Sequence, residues 1–248
     1  MRMEVASRTV TLRGPDHTEL GVVATSSLGT KVAIALSRGK YLKGYPSLDH
    51  NEDGVLASVS GDSVCLAVVD GHDGFDAAAI TLQAVINALD ELHAVGVSEA
   101  ARPLTALLLN ARDRLRQARD SASRQRSESG CSVIIALLKD DGLVQCSLGD
   151  AHAVVARGRR ARRVVKPSPH FRWDRDLGAV SISRSRLRQG ETVILGTDGV
   201  FDFLGSGVRE TLRDSASAND ASLIVRVLIE KAFAGGAGDN VATAVAVR

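Results

Sequence analysis

Hydrophobic positions along the chain fall into blocks of two kinds. Between Thr9 and Leu36 they form short runs, Thr9–Leu12, Leu20–Thr25 and Lys31–Leu36, broken by Gly14, Pro15 and Gly29. Runs bounded this way predict strands. Val55–Val59 is another, and Val64–Val69 is continuously apolar, as a strand covered on both faces requires. The spacing then changes. Leu82, Val85, Ile86, Leu89 and Leu92 recur at helical intervals, as do Leu104, Leu107, Leu108 and Leu115. Each set makes one apolar stripe, so each helix needs a sheet to cover it. Strands return at Ser132–Leu138, Leu143–Leu148 and Ala151–Ala156, with Lys139-Asp140-Asp141-Gly142 as the first turn of a meander. Arg184–Gly190 is polar and reads as irregular, and Thr192–Gly196 as a strand. Leu223, Ile224, Val227 and Leu228 mark a third helix behind caps at Asn219 or Asp220, and Val241–Val247 is a last strand.

Strand blocks separated by a helix pair predict antiparallel sheets with helices on their outer faces. No repeat or low-complexity linker divides the 248 residues, so one domain over 1–248 is expected. Hydrophobic residues make up 44% and aromatics only 3%, so aliphatic side chains must fill the core. A net charge of +2 gives no argument for nucleic acid. Cys65, Cys131 and Cys146 lack metal-type spacing and sit in apolar runs, as buried thiols of a reducing compartment do. The N-terminus has no apolar signal core, and no run approaches the roughly 20 apolar residues that span a bilayer. A soluble protein is expected, cytoplasmic (or nuclear in a eukaryote), not secreted and not in a membrane.

The chemistry-bearing residues gather at strand ends. Asp70 ends one in Val68-Val69-Asp70-Gly71, Asp150 in Leu148-Gly149-Asp150 and Asp198 in Leu195-Gly196-Thr197-Asp198-Gly199, while Asp239 precedes the last strand. A strand end is a rigid mount, and a neighbouring Gly lets backbone or ligand approach. Singly, each Asp is an ordinary turn former. Together, gathered at one edge, they would repel one another unless a hard cation such as Mg²⁺ or Mn²⁺ lay between them. A further acidic stretch, Asp49-His50-Asn51-Glu52-Asp53-Gly54, has EF-hand spacing at its start, but Ser60 stands where the bidentate Glu belongs and a strand follows instead of a helix.

These stretches resemble, in order, six motifs of the metal-dependent protein phosphatases of the 2C type. They are Asn51-Glu52-Asp53, Asp70-Gly71-His72-Asp73-Gly74, Ser129-Gly130-Cys131-Ser132, Gly149-Asp150-Ala151-His152, Thr197-Asp198-Gly199-Val200-Phe201-Asp202 and Asp239-Asn240-Val241-Ala242-Thr243. The resemblance implies a four-layer α-β-β-α sandwich, class α+β, with two antiparallel sheets flanked by helix pairs and a dinuclear site at one edge. It implies hydrolysis of phosphoserine or phosphothreonine in proteins by a water shared between two Mn²⁺ or Mg²⁺ ions. Asp70 would bridge the ions and the Gly71 carbonyl would bind one of them. Asp198 and Asp239 would bind the other, and Glu52 and Asp53 would act directly or through water. Asp150 matches the position that helps hold a third ion. His72 matches the general acid for the leaving alkoxide, a task that suits an imidazole at neutral pH. The other histidines, His17, His50, His93, His152 and His170, read as structural.

The pattern departs from the family in three places. Leu48 stands where many members carry a phosphate-holding Arg, and Leu cannot form paired hydrogen bonds to phosphate. Arg172, Arg175, Arg184 and Arg186 are the candidates to replace it. The stretch between Asp150 and Asp198 is short, so the flap region, about 157–190, is reduced, with His170–Asp176 as its remnant. Asp73 replaces a signature glycine. Leu48 and the short flap keep open an alternative, a catalytically weak or inactive phosphatase-like scaffold that binds a partner. The run Arg157-Gly158-Arg159-Arg160-Ala161-Arg162-Arg163 reads as a solvated hairpin tip or as a docking patch for an acidic or phosphorylated partner, on which a third reading, a basic adaptor, rests. No aromatic interleaves it, which argues against RNA. The expected state is a monomer acting on a phosphorylated protein.

Overall fold

Strands and helices alternate in the blocks that the hydrophobic spacing predicts. The computed structural model describes residues 7–44, 50–121, 129–158, 160–164, 168, 180–204, 211 and 219–248. The first strands are β1 (Arg8–Arg13), β2 (Ala24–Leu28), β3 (Val32–Ser37), β4 (Gly54–Ser60) and β5 (Ser63–His72). Helices α1 (Asp76–Ala94) and α2 (Ala101–Ser121) follow. Then come β6 (Gly130–Lys139), β7 (Gly142–Leu148), β8 (His152–Arg157), β9 (Arg160–Arg163), β10 (Ser181–Arg186) and β11 (Thr192–Gly196). Helices α3 (Asp198–Leu204) and α4 (Ala221–Ala234) precede β12 (Val241–Val247).

The strands form two six-stranded sheets, ordered β1-β4-β5-β6-β7-β10 and β2-β3-β12-β11-β8-β9, antiparallel throughout. Three apolar layers hold them. Leu82 and Leu92 of α1 and Leu104 and Leu108 of α2 pack on Leu56, Ile135 and Leu137 of the first sheet. Ile34, Leu66, Ile134 and Leu195 lie between the sheets. Ile194 and Val245 meet Phe201 of α3 with Ile224 and Leu228 of α4 on the far side. Neighbours such as Ile134 and Ile135 enter different layers because side chains alternate across a strand, so both must be apolar. This is the α-β-β-α sandwich that the resemblance implies.

Three details differ from the sequence expectation. The second strand starts at Ala24, beyond most of Leu20–Thr25. Gly21, at φ 74, turns the chain and donates its N–H to the Gly39 carbonyl at 2.8 Å, and Val22 is left 52% exposed. Ser181–Arg186 is a strand and not irregular, paired with β7 at the border of the first sheet. A border strand has few buried positions to fill, so its Ser and Arg residues hide its register from a hydrophobicity count. Asp198 opens a helix whose apolar residues Val200, Phe201 and Leu204 are too few to stand out in sequence. Of the two proposed caps, Asp220 is the one used, accepting from the Ser222 N–H at 2.9 Å, while Asn219 takes the Lys31 ammonium at 2.7 Å.

The antiparallel order brings the end of β5, the starts of β4 and β6 and the end of β7 to one end of the sandwich. The end of β3, the starts of β8 and β12 and the end of β11 arrive there from the other sheet. Everything that follows depends on the layer between the sheets. Leu66→Ala, at a fully buried position in that layer, is expected to lower the unfolding free energy by about 2–5 kcal/mol in urea titration. A loss well under about 1 kcal/mol would contradict close packing there.

Candidate metal centre

The acids reach this end by different routes. Asn51, Glu52 and Asp53 are buried and lead into β4, where Gly54 pairs with Val69, so Asp53 lies beside Asp70 of the neighbouring strand. β5 and β6 stay paired through Asp70↔Ser132 and His72↔Gly130, which makes Asp70 part of a rigid ladder. A Cβ on Gly71 would strike the Glu52 carbonyl, so only glycine lets the two segments meet. Asp198 caps its own helix by accepting from the Gly199 N–H at 2.6 Å. Asp239 accepts from the Asn240 N–H at 2.7 Å. The Asn240 amide ties these pieces together. Its Oδ1 accepts from the Glu52 N–H at 2.9 Å, and its Nδ2 donates to the carbonyls of Arg38 at 3.1 Å and His50 at 3.2 Å.

Charge is crowded here. Burial, then the neighbouring Asp239, pushes the Asp53 carboxyl well above its ordinary range. Burial, then the charges of Asp53, Asp198, Asp150 and Asp239, does the same to Asp70. Burial, with Asp239 and Asp150, raises Asp198 to about 6, against the pull of the Gly199 N–H. Asp53 Oδ2 and Asp70 Oδ2 are buried and, among the described residues, meet no hydrogen-bond donor. Buried carboxylate oxygens with no partner and mutual repulsion are what a hard divalent cation satisfies, so the donor set fits Mg²⁺ or Mn²⁺. Among the described residues, Lys43 brings a cation of the chain's own. Lys43 Nζ lies 2.7 Å from Glu52 Oε2 and 3.3 Å from Asp239 Oδ1. Burial opposes its charge, but the Glu52 hydrogen bond and the charges of Asp239, Glu52 and Asp53 prevail and hold it above its usual pKa.

A second group lies on the β5–β7 side. Asp70, His72 and Asp150 bring ligand atoms within 4.8 Å of one another. Ser132 Oγ donates to Asp150 Oδ1 at 2.6 Å. A hydroxyl has one proton, so at 3.3 Å from His72 Nε2 the same oxygen accepts, and the imidazole carries its proton on Nε2. His72 Nδ1 then faces Asp70 Oδ1 at 3.9 Å. Gly149, at φ 96, keeps Asp150 in place, and a Cβ there would collide with Ser132.

The structure thus brings together Glu52, Asp53, Asp70, Gly71, His72, Asp150, Asp198 and Asp239. It does not bring Arg184 or Arg186 to them. Arg184 donates to the Ser98 carbonyl and Arg186 pairs with Asp141, both at the opposite end of the sandwich. Leu48, Arg172, Arg175 and the segment His170–Asp176 lie outside the described residues. Sequence reasoning assigned no role to Lys43, Ser132 or Asn240. Ser132 and Asn240 stood inside quoted motifs, whereas Lys43 had no spacing signal. His93 and His152 are structural, as expected. His93 lies between the hydroxyls of Ser58 and Ser63, and His152 stacks on Phe201 at 4.9 Å.

The raised acids fix the pH dependence of the metal-free protein. A carboxyl whose folded pKa is raised favours folding while protonated and opposes it once ionised. For Asp198 that favourable contribution is present below the ordinary value of 3.8 and is lost as pH rises through about 6. Metal-free Asp198→Asn is therefore expected to melt with the wild type near the acid end of that window and above it at neutral pH. Thermal melts in chelator check this, and a variant that melts lower at neutral pH contradicts it.

The protein phosphatase 2C family model matches residues 47–226. No curated protein matches the chain in sequence. Among solved structures, the serine/threonine phosphatase PstP/Ppp of Mycobacterium tuberculosis superposes with a TM-score of 0.68 at 19% identity, covering 88% of this chain and 98% of that one. The PstP catalytic domain in complex with two manganese ions gives 0.69 at 19%, covering 91% and 99%. PppA, described as a regulatory component of the type VI secretion system in Pseudomonas aeruginosa, gives 0.62 at 14%, covering 98% and 96%. These likenesses carry the fold, and the family match spans most of the chain, including Glu52, Asp53, Asp70, Asp150 and Asp198. The chain belongs to the protein phosphatase 2C family.

Proposed function

We propose that the chain is a metal-dependent phosphatase of phosphoserine and phosphothreonine in proteins. The observation that carries this is the buried acidic edge, with carboxylate oxygens of Asp53 and Asp70 left without donors, in a chain of this family. Asp53, Asp70, Asp198 and Asp239, with the Gly71 carbonyl, would hold two Mn²⁺ or Mg²⁺ ions, and Asp150 would help to hold a third. Bound there, such ions lower the pKa of water and neutralise phosphoryl oxygens. The Gly74 N–H and Lys43 each hold one oxygen of Glu52, at 2.8 and 2.7 Å, so Glu52 orients from the side. His72 delivers the proton to the departing Ser or Thr oxygen, and Ser132 and Asp150 fix its ring. Among Arg172, Arg175, Arg184 and Arg186, the candidates to hold the substrate phosphate, the last two would have to move to reach it.

The reading extends to one catalytic domain over 1–248 with a shortened flap, acting in the cytoplasm as a monomer. No helix among the described residues is long and apolar enough to cross a membrane. An acidic protein partner at Arg157–Arg163 belongs to the same reading. The inactive scaffold is not favoured, because the chain keeps Glu52, Asp53, Asp70, Asp150, Asp198 and Asp239 and belongs to a phosphatase family.

Purified protein is expected to hydrolyse a phosphothreonine peptide with Mn²⁺ and to stop in excess chelator. Thiol alkylation should leave the activity intact, since Cys65, Cys131 and Cys146 are buried and burial pushes each thiol up to about 12. Activity that persists in chelator, or dies on alkylation of a folded protein, overturns the mechanism. Asp239→Asn should cut kcat/KM by about a hundredfold or more while the far-ultraviolet circular dichroism stays unchanged. His72→Gln should depress turnover of a phosphothreonine peptide more than that of p-nitrophenyl phosphate, whose leaving group needs no proton. An equal loss on both substrates would remove His72 from the acid role.

A further inference from the structure

A cavity of about 770 Å³ opens at the end of the sandwich opposite the acids. β8 runs from the acidic end to Arg157, five residue steps or about 17 Å from His152. Among the described residues, five arginines line the cavity, Arg157, Arg160, Arg162, Arg186 and Arg188, against two carboxylates, Asp141 and Glu191. Asp141 is taken by Arg186 at 2.9 Å, and Glu191 by the Arg188 backbone N–H at 2.7 Å. Among the described residues, nothing of opposite charge meets the guanidinium groups of Arg157, Arg160 or Arg188. Arg157 and Arg160 are moreover direct cross-strand partners, an arrangement that destabilises a hairpin unless an anion lies between them. Val155, Ala161 and Leu187 give the cavity apolar surface, and among the described residues no aromatic lines it. β9 and β10, each the border strand of its sheet, meet here, where Arg162 donates to the Arg186 carbonyl. The arginine run in the sequence is thus divided by strand alternation. Arg163 turns away and binds His152.

We propose that this arginine cleft docks an acidic segment of the phosphoprotein substrate, away from the phosphorylated residue. The inference rests on the phosphatase reading for the word substrate, but the cleft itself does not depend on catalysis. Paired guanidinium groups recognise carboxylates, and the apolar surface suits a peptide with interspersed aliphatic residues. The lack of an aromatic stacking surface among the described residues disfavours a nucleic acid strand. Docking at one end raises the effective concentration of the phosphoresidue at the other, provided the spacer reaches.

The test compares three phosphothreonine peptides: without an acidic run, with a run of Asp and Glu adjacent to the phosphothreonine, and with that run about six to ten residues away. The distant run is expected to lower KM about tenfold or more, and the adjacent run to do less. Arg157→Glu/Arg188→Glu should abolish the gain while turnover of p-nitrophenyl phosphate stays unchanged. In parallel, the labelled acidic run alone should bind the metal-free protein by fluorescence anisotropy and lose that binding in the variant. Equal KM for all three peptides, or a gain that survives the variant, overturns the docking site. So does a single-stranded oligonucleotide that displaces the acidic run at lower concentration than an unlabelled peptide. If p-nitrophenyl phosphate is not turned over with Mn²⁺, the phosphatase reading fails, and the anisotropy result alone decides the cleft.

Discussion

The repulsion among buried carboxylates is the constraint on which this structure turns. Burial, and then the charges of neighbours including Asp239, raise the proton affinity of Asp53, Asp70 and Asp198. Such an arrangement survives only if the frame is stiffer than the force pushing it apart. Two antiparallel sheets locked by three apolar layers provide that frame. Asp70 sits on a ladder position and Asp53 immediately beside one, so their spacing is inherited from strand register instead of from loops. Three glycines, at 71, 149 and 199, let backbone segments come closer than any side chain would allow. The frame brings the donors together and leaves them unsatisfied, which is the electrostatic preorganisation that phosphoryl transfer uses.

The two sheets carry different parts of the centre. Asp70, His72, Ser132 and Asp150 come from the β5–β7 side, while Asp198 follows β11 and Asp239 precedes β12. Asn240 joins the halves through the Glu52 backbone. A fault in the layer between the sheets would therefore reach the chemistry without touching any acid.

Much of this was legible in the sequence. Continuous apolar runs marked the strands buried on both faces, and helical stripes marked α1 and α2, because burial fixes periodicity. The acids were legible because aspartate beside glycine at the end of an apolar run is a combination with few structural uses. What escaped had little burial to report it. β10 lies at a sheet border and needs no apolar face, so Ser181–Arg186 looked irregular. The turn around Gly21 leaves Leu20 and Val22 exposed although both are apolar. Lys43 reaches the centre through three-dimensional proximity alone. Arg184 and Arg186 were nominated from a region of sequence, and antiparallel pairing carries that strand to the opposite end. The arginine run was visible as charge, but its division between a cleft and His152 follows from a two-residue period that a charge count cannot see.

Lys43 has a consequence for how the protein lives before its ions arrive. Its ammonium is a counter-ion on a covalent stem, so dilution and chelation cannot remove it from Glu52 and Asp239. A small zinc domain has no such tether and stays unfolded until loaded. Here a resident cation, together with the large apolar layers, lets the chain mature with its centre partly neutralised.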